Sequence, residues 1–524
     1  MKALLMCRNA DFDPQRKLPP NEPALTQDLA LDTLFDAMAR GDKFLFDMAR
    51  RTVLLGTPDL DTILYRQSVL RDCMKNGAIV GDLYRIAIEA IESERKSYWS
   101  YFSRHPGGIL HRAVEVLQFL VVALRQLRTV ADDHAAEFES AGFSRFFAML
   151  REELSHEYFA SIDEHLKTLK LRDGVLISAG LGTGNKGRDY VLHKSPHRKW
   201  RWLARIFAPG PPGHTFRLHP RDEGGMRALS ELTDRGVNLV ANALAQSTDH
   251  ILSFFQMLRS ELAFYVGCLN LRARLDKIGE PLCFPAPVAT GERRHSFTGL
   301  YDVCLALCAG TPVVGNDVNA DDKDLVIITG ANQGGKSTFL RSIGIAQLMM
   351  QAGMFVPAES FCCEVRDGLF THYKRKEDAT MESGKLDEEL RRMSEIVDNV
   401  THNSMVLFNE SFAATNEREG SEIARQITAA LMEKGVKILF VTHLFEFAHR
   451  FHERMMENVI FLRAERRPDG VRTYRLVEGE PLQTSYGKDL YDAVFGAEHP
   501  PNDDGGARLA PAVGGADDPT SVRG

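Results

Sequence analysis

The stretch that most constrains this chain is "IITGANQGGKST", residues 327–338. Gly330, four residues, and then Gly335-Lys336-Ser337 satisfy the pattern GxxxxGK[ST]. An apolar segment, Leu325–Ile328, precedes it, and "STFLRSIGIAQLMMQAG" follows with helical periodicity. Strand, glycine-rich turn and helix in that order are what a phosphate cradle requires. The glycines let successive backbone N–H groups turn inward, and the helix presents its unpaired N–H groups and positive dipole end to the same point. Residues Gly330, Ala331, Asn332, Gln333, Gly334, Gly335, Lys336, Ser337 and Thr338 are therefore the candidate ATP-binding set. Lys336 is expected to reach the β- and γ-phosphates, and the Ser337 hydroxyl to ligate Mg²⁺.

A second apolar segment, "MVLFNESFAATNEREG" at 405–420, ends in Asn409 and Glu410. A strand ending in a carboxylate near a phosphate cradle can polarise an attacking water, and Glu410 has that place. Asn409 can accept a hydrogen bond from a metal-bound water through its carbonyl. It brings no negative charge to the ion, so weaker Mg²⁺ binding and slow turnover are expected.

The rest of the chain supplies the setting. With 524 residues there is room for about two to four domains. The composition, 44% hydrophobic and 26% charged, is that of an ordinary globular protein. No uninterrupted apolar run approaches the roughly 18 residues of a membrane span, and the N-terminal apolar stretch is too short for a secretory signal. The eight cysteines show no paired CxxC spacing and read as reduced thiols, which suits a cytoplasmic protein, nucleoid-associated if bacterial. A net charge of −7 argues against coating nucleic acid by bulk charge, though not against a local basic groove.

Four regions follow from the pattern. Residues 1–24, with "DFDPQRKLPPNEP", read as an extended tail. Residues 25–278 carry helical periodicity, interrupted at about 168–218 by a glycine-punctuated, strand-rich insertion. From 279 to 496 short apolar strands alternate with helices, and 497–524 is expected to be disordered. The fold class expected is multidomain, α and α/β: a helical region followed by a C-terminal ABC-type P-loop ATPase domain.

The surroundings of the cradle resemble the ATPase domain of the MutS family of DNA mismatch-repair proteins. Asn316-Asp317-Val318 precedes the strand, and the helix ends in Gly353-Met354-Phe355-Val356-Pro357-Ala358. "ILFVTHLFEFA" matches a further family motif, and "VEGEPLQTSYG" ends in the family's Ser485-Tyr486-Gly487. Upstream, "RRTVLLGTPDLDTILYRQSVLRDCM" is similar to the helical core of the same family, which implies that 25–278 is its core and lever region. The resemblance places His443 where the family senses the γ-phosphate, and Asn409 where it carries Asp. It implies ATP and Mg²⁺ as cofactors, a homodimer, DNA that is duplex, mismatched or branched, and repair or recombination proteins as partners, with no membrane. Slow but real hydrolysis, or a hydrolysis-poor ATP-switched scaffold that recruits other proteins, are the two readings of Asn409.

No counterpart of the family's mismatch-reading domain is found in the sequence. The nearest text, "EFES" at 137–140, lies in a helical pattern where Phe138 suits a core, so a divergent, shortened branch is expected. The turn "SFAATNEREG" replaces a glycine-rich family stretch, with Thr415 and Gly420 matching. Ser383 and Gly384 align with the segment that touches the partner's γ-phosphate in trans, and Ser383 equally suits a helix N-cap. For DNA, the dense basic–aromatic run at 185–207 offers Lys194, Arg198, Lys199, Trp200, Arg201 and Trp202. The same run also fits a solvated face whose tryptophans anchor the insertion.

Overall fold

The computed structural model describes residues 1–98, 106–171, 174–194, 214, 216–375, 384–467 and 471–481. Its helical half is built from amphipathic segments with well-marked starts. Asp42, Asp59 and Ser140 each cap a helix by accepting backbone N–H groups with their side chains. The longest element is the 56-residue helix Glu223–Ile278, capped by Asp222 and stopped by Gly279 at φ 85°. Its C-terminal half is buried against the helices Gly77–Tyr98 and Pro106–His134. The latter is long and apolar enough to cross a bilayer by length and composition, but half of its most apolar window is buried inside the fold. It also carries Arg112, Arg125 and Arg128 in ion pairs. Phe138 is a core residue, packed on Phe143 and Phe147. Within the region read as an insertion, β1 (Leu176–Leu181) and β2 (Gly187–His193) form an antiparallel hairpin.

Residues before Glu22 contain no helix or strand, yet they are not a loose tail. Ala3, Leu5, Met6 and Phe12 are buried, and Glu261 of the long helix accepts hydrogen bonds from the N–H groups of Leu5 (2.6 Å), Met6 (3.3 Å) and Phe12 (3.2 Å). Burial pushes the Glu261 carboxyl up to about 7, against the pull of those three donors.

The second half holds two sheets. The strands β3 (Ala286–Val288), β4 (His295–Leu300), β5 (Asn316–Asn319) and β7 (Ser360–Glu364) make one, in the order β3-β7-β4-β5. The other contains β6 (Leu325–Gly330), β8 (Leu369–Tyr373), β9 (Met405–Asn409), β10 (Lys437–Val441), β11 (Val459–Arg466) and β12 (Arg472–Glu478). Its order is β12-β11-β6-β10-β9-β8, parallel except for β12. The central strands are apolar on both faces because helices cover both, as a parallel sheet requires.

The change of texture at 278/279 is not a break in packing. One continuous core runs from Leu5, Leu70 and Leu262 through Leu340 and Met349 of the helix Lys336–Ala352 to Leu407 and Leu476. Arg66, nearly buried, ties the parts together by donating to the carbonyls of Met6 (2.8 Å) and Ala352 (3.3 Å). Gly353 follows at φ 83°, and a Cβ there would lie 2.5 Å from Arg66 Cβ. Glycine is needed on both counts.

Candidate nucleotide site

The parallel register brings three candidate segments together. Val441 of β10 pairs with Ile328 of β6 on one side and Asn409 of β9 on the other. The turn after β6, the end of β9 and the residues after β10 therefore share one rim of the sheet, at the carboxyl ends of its strands, where open α/β sheets bind ligands.

The turn Gly330–Gly335 is shaped by its neighbours. Gly330 has φ 110°, and a Cβ on it would meet the Ala464 nitrogen at 2.8 Å. A Cβ on Gly334 would meet Ala464 Cβ at 2.6 Å. Gly335, at φ 89°, is the N-cap of the helix that begins at Lys336. Lys336 curls back over the turn, and its ammonium donates to the carbonyls of Gly330 (2.9 Å) and Ala331 (2.8 Å). Burial lowers its pKa to about 8, with Glu410 pulling the other way. An amine folded onto backbone carbonyls in a half-desolvated site is ready to exchange them for phosphate oxygens.

Ser337 Oγ donates to Asn409 Oδ1 at 2.9 Å, so the two residues expected to serve a metal do converge. Both offer hard oxygen donors, the chemistry that suits Mg²⁺. Among the described residues no cluster of three or more His, Cys, Asp and Glu side chains could hold a metal unaided. Such an ion would depend on the nucleotide's phosphates for further ligands.

Glu410 lies one residue past β9 at φ 53°, with its N–H donating to the Val441 carbonyl at 2.9 Å. Its carboxylate is 3.2 Å from His443 Nε2. The His443 contact, set against burial, holds the Glu410 carboxyl below the usual carboxylate range. It is thus kept ionised, as a group that orients or polarises water must be.

Beside the turn lies a cavity of about 650 Å³. Tyr301, Leu305, Pro312, Val313 and Val314 wall one side, Asn332–Thr338 form the floor, and Glu410 and Tyr474 close it. A cleft of this size falls in the range of small-molecule sites, about 300–1,000 Å³. A larger hollow of about 790 Å³, between β3, β4, β5, β7 and β12, contains none of the candidate catalytic groups and is not the site. Asn316 explains why the Asn-Asp-Val stretch belongs near the turn: it accepts from Leu476 N (2.7 Å) and pins β5 to β12. The roles of Tyr301, Tyr474 and of Arg472, which donates to Gln333 Oε1 at 2.9 Å, were not legible from local sequence. Their partners lie far away along the chain.

Gly384 is at the exposed N-terminus of the helix Lys385–Asn399, where a Cβ in place of its hydrogen would meet nothing within 4 Å. Ser383 lies outside the described residues, as do Arg198, Lys199, Trp200, Arg201, Trp202 and Ser485-Tyr486-Gly487. Lys194 is described; it is exposed and pairs with Glu164 at 2.6 Å.

Comparison with known proteins bears on both halves. Residues 58–278 match the family model "MutS2 N-terminal domain", and 326–496 match "MutS domain V". The "DNA mismatch repair protein MutS" of Thermotoga maritima is 35% identical over 176 residues, 33% of this chain and 22% of that protein. The protein of the same name from Chlorobium chlorochromatii is 36% identical over 263 residues, 45% of this chain and 30% of its own. "MutS protein homolog 4" of Mus musculus is 29% identical over 196 residues, 36% of this chain and 20% of its own. The chain thus spans about a fifth to a third of the length of these relatives. With the helical half and the sheet half each matching a MutS domain, the chain belongs to the MutS family.

Proposed function

We propose that this chain is a MutS-type ATPase that binds DNA and couples ATP binding and hydrolysis to clamping on mismatched, branched or otherwise distorted duplexes. The observation that carries the reading is the meeting of Lys336, the Ser337–Asn409 pair and the Glu410–His443 pair at one rim of a parallel sheet. Lys336 and the N–H groups of Gly330–Thr338 bind the β- and γ-phosphates. Ser337 would hold Mg²⁺ and Asn409 would assist through water, and the chemistry supplied there would be neutralisation of charge on the phosphate oxygens. Glu410 orients and polarises the attacking water, and His443 reports the γ-phosphate to it. The unit of function is a homodimer, with Ser383 and Gly384 of one protomer completing the other's site. DNA contacts fall to the cluster that includes Lys194, Arg198, Lys199, Trp200, Arg201 and Trp202.

One observation favours a second reading, an ATP-switched scaffold with little turnover. At the metal side of the site an amide, Asn409, faces Ser337 where a carboxylate would add charge. Steady-state ATP hydrolysis by the wild type and Glu410→Gln separates the two. A wild-type rate at least about tenfold above the variant supports the hydrolase; equal background rates leave the scaffold. Binding to duplex, mismatched and branched DNA over a salt series, with and without ATP, tests the clamp. An unchanged affinity and salt slope in a Lys199→Ala/Arg201→Ala variant would remove the basic cluster from it.

A further inference from the structure

The residues around Glu410 include two that backbone sterics disfavour. Glu410 and Phe412 both have positive φ, 53° and 61°, with Ser411 between them. A non-glycine residue in this region is disfavoured unless its surroundings hold it there. What holds it is a set of side chains that the nucleotide reading does not use. His372, on β8 and fully buried, stacks on the Phe412 ring at 5.2 Å between centroids. Its Nε2 is 2.9 Å from the Glu389 carbonyl, which can only accept, so Nε2 carries the proton. The Ser411 hydroxyl donates to the His372 main-chain carbonyl at 2.5 Å, and its oxygen lies 2.7 Å from Nδ1. Glu389, nearly buried, completes the set by accepting from Phe412 N at 2.8 Å.

Glu389 is one turn into the helix Lys385–Asn399. That helix begins where Gly384 ends the segment aligned with the trans contact. Its main chain holds His372 and its side chain holds Phe412, so a shift of the helix moves the turn after Glu410.

We propose that His372, Ser411 and Glu389 are positioning residues for Glu410, and that they tie its placement to the helix Lys385–Asn399. The inference rests on the hydrolase reading above. In it, the helix sets Phe412 and Ser411, and these bring Glu410 to its water.

The test is single- and multiple-turnover ATP hydrolysis by the full chain. His372→Phe keeps the ring stack and removes both hydrogen bonds, Glu389→Leu removes the acceptor for Phe412 N, and Glu389→Gln retains one. Ser411→Ala is a small change that spares the fold if the others do not. We expect His372→Phe and Glu389→Leu to lower kcat at least about tenfold and Ser411→Ala at least about threefold, with KM for ATP within about twofold. Glu389→Gln should keep most of the wild-type kcat. On a Glu410→Gln background, His372→Phe should cause less than about a twofold further loss. Folded variants with wild-type kcat, or losses that add in full to Glu410→Gln, would overturn the positioning role while the hydrolase reading stood. Equal rates for wild type and Glu410→Gln would overturn the hydrolase reading and the positioning role with it.

Discussion

Replacing Asn409 by Asp should sharply lower the Mg²⁺ concentration needed for half-maximal hydrolysis. The side chain is already placed: its Oδ1 accepts from Ser337 Oγ at 2.9 Å, and a carboxylate oxygen can accept the same bond, so no rearrangement is required. What changes is charge. Two unit charges about 4 Å apart interact by about 4 kcal/mol at an effective dielectric near 20, and a divalent ion doubles that. Most of this gain is offset, because the new carboxylate must be desolvated and lies one residue from ionised Glu410. Substitutions of outer-sphere groups that act on a metal through water change its affinity by about 10–100-fold, equivalent to about 1.4–2.7 kcal/mol. The assay is an MgCl₂ titration of the hydrolysis rate at saturating ATP for the wild type and Asn409→Asp. The expected result is a half-saturating Mg²⁺ concentration lower by about tenfold or more, with kcat raised or unchanged. A shift smaller than about twofold would refute the placement of Asn409 in the ion's outer sphere.

Substitutions at His443, Glu261 and Gly353 give further outcomes. His443→Gln removes the contact that most lowers the Glu410 pKa, so the acid limb of the pH–kcat profile should move to higher pH. The stability that Glu410 contributes above its unfolded value of 4.5, and loses as pH falls through its lower folded value, should shrink in the same variant. Glu261→Leu leaves three buried N–H groups without an acceptor and should destabilise the fold by at least about 3 kcal/mol, measured by urea denaturation. In the wild type the Glu261 carboxyl is raised to about 7, so its contribution is full below 4.5 and declines as pH rises to about 7. A Glu261→Gln variant should lose that slope. Gly353→Ala meets both an unfavourable φ of 83° and Arg66 Cβ at 2.5 Å, and should lower the denaturation midpoint by an amount equivalent to about 2–4 kcal/mol.

The cradle was legible because everything it needs is local: an apolar strand, glycines where φ is positive, and a helix starting at Lys336. The strand ending in Asn409 and Glu410 was legible for the same reason. The docking of residues 1–21 was not. "DFDPQRKLPPNEP" has no periodicity, and its acceptor, Glu261, is some 250 residues away in a helix where a lone acid looks like a solvated one. The left-handed Phe412 was equally hidden, since propensity argues against it and its support comes from His372 and Glu389 on other elements. Texture marked a boundary at 278/279, but hydrophobic pattern reports which face of an element is apolar and not which partner covers it.

That shared core has a mechanical consequence. Two rigid bodies joined by a linker can absorb a displacement in the joint, and the second body then feels little of it. Here the far end of the helix that starts at Lys336 is bolted by Arg66 to both Met6 and the helical half, with Gly353 leaving no slack beside it. A rotation begun at the phosphate turn has no compliant segment in which to dissipate. Over the 56 residues of Glu223–Ile278, about 84 Å at 1.5 Å per residue, a tilt of about 5° at the base displaces the tip by about 7 Å. Gain of that kind depends on stiffness at the base, and the packing around Arg66 supplies it.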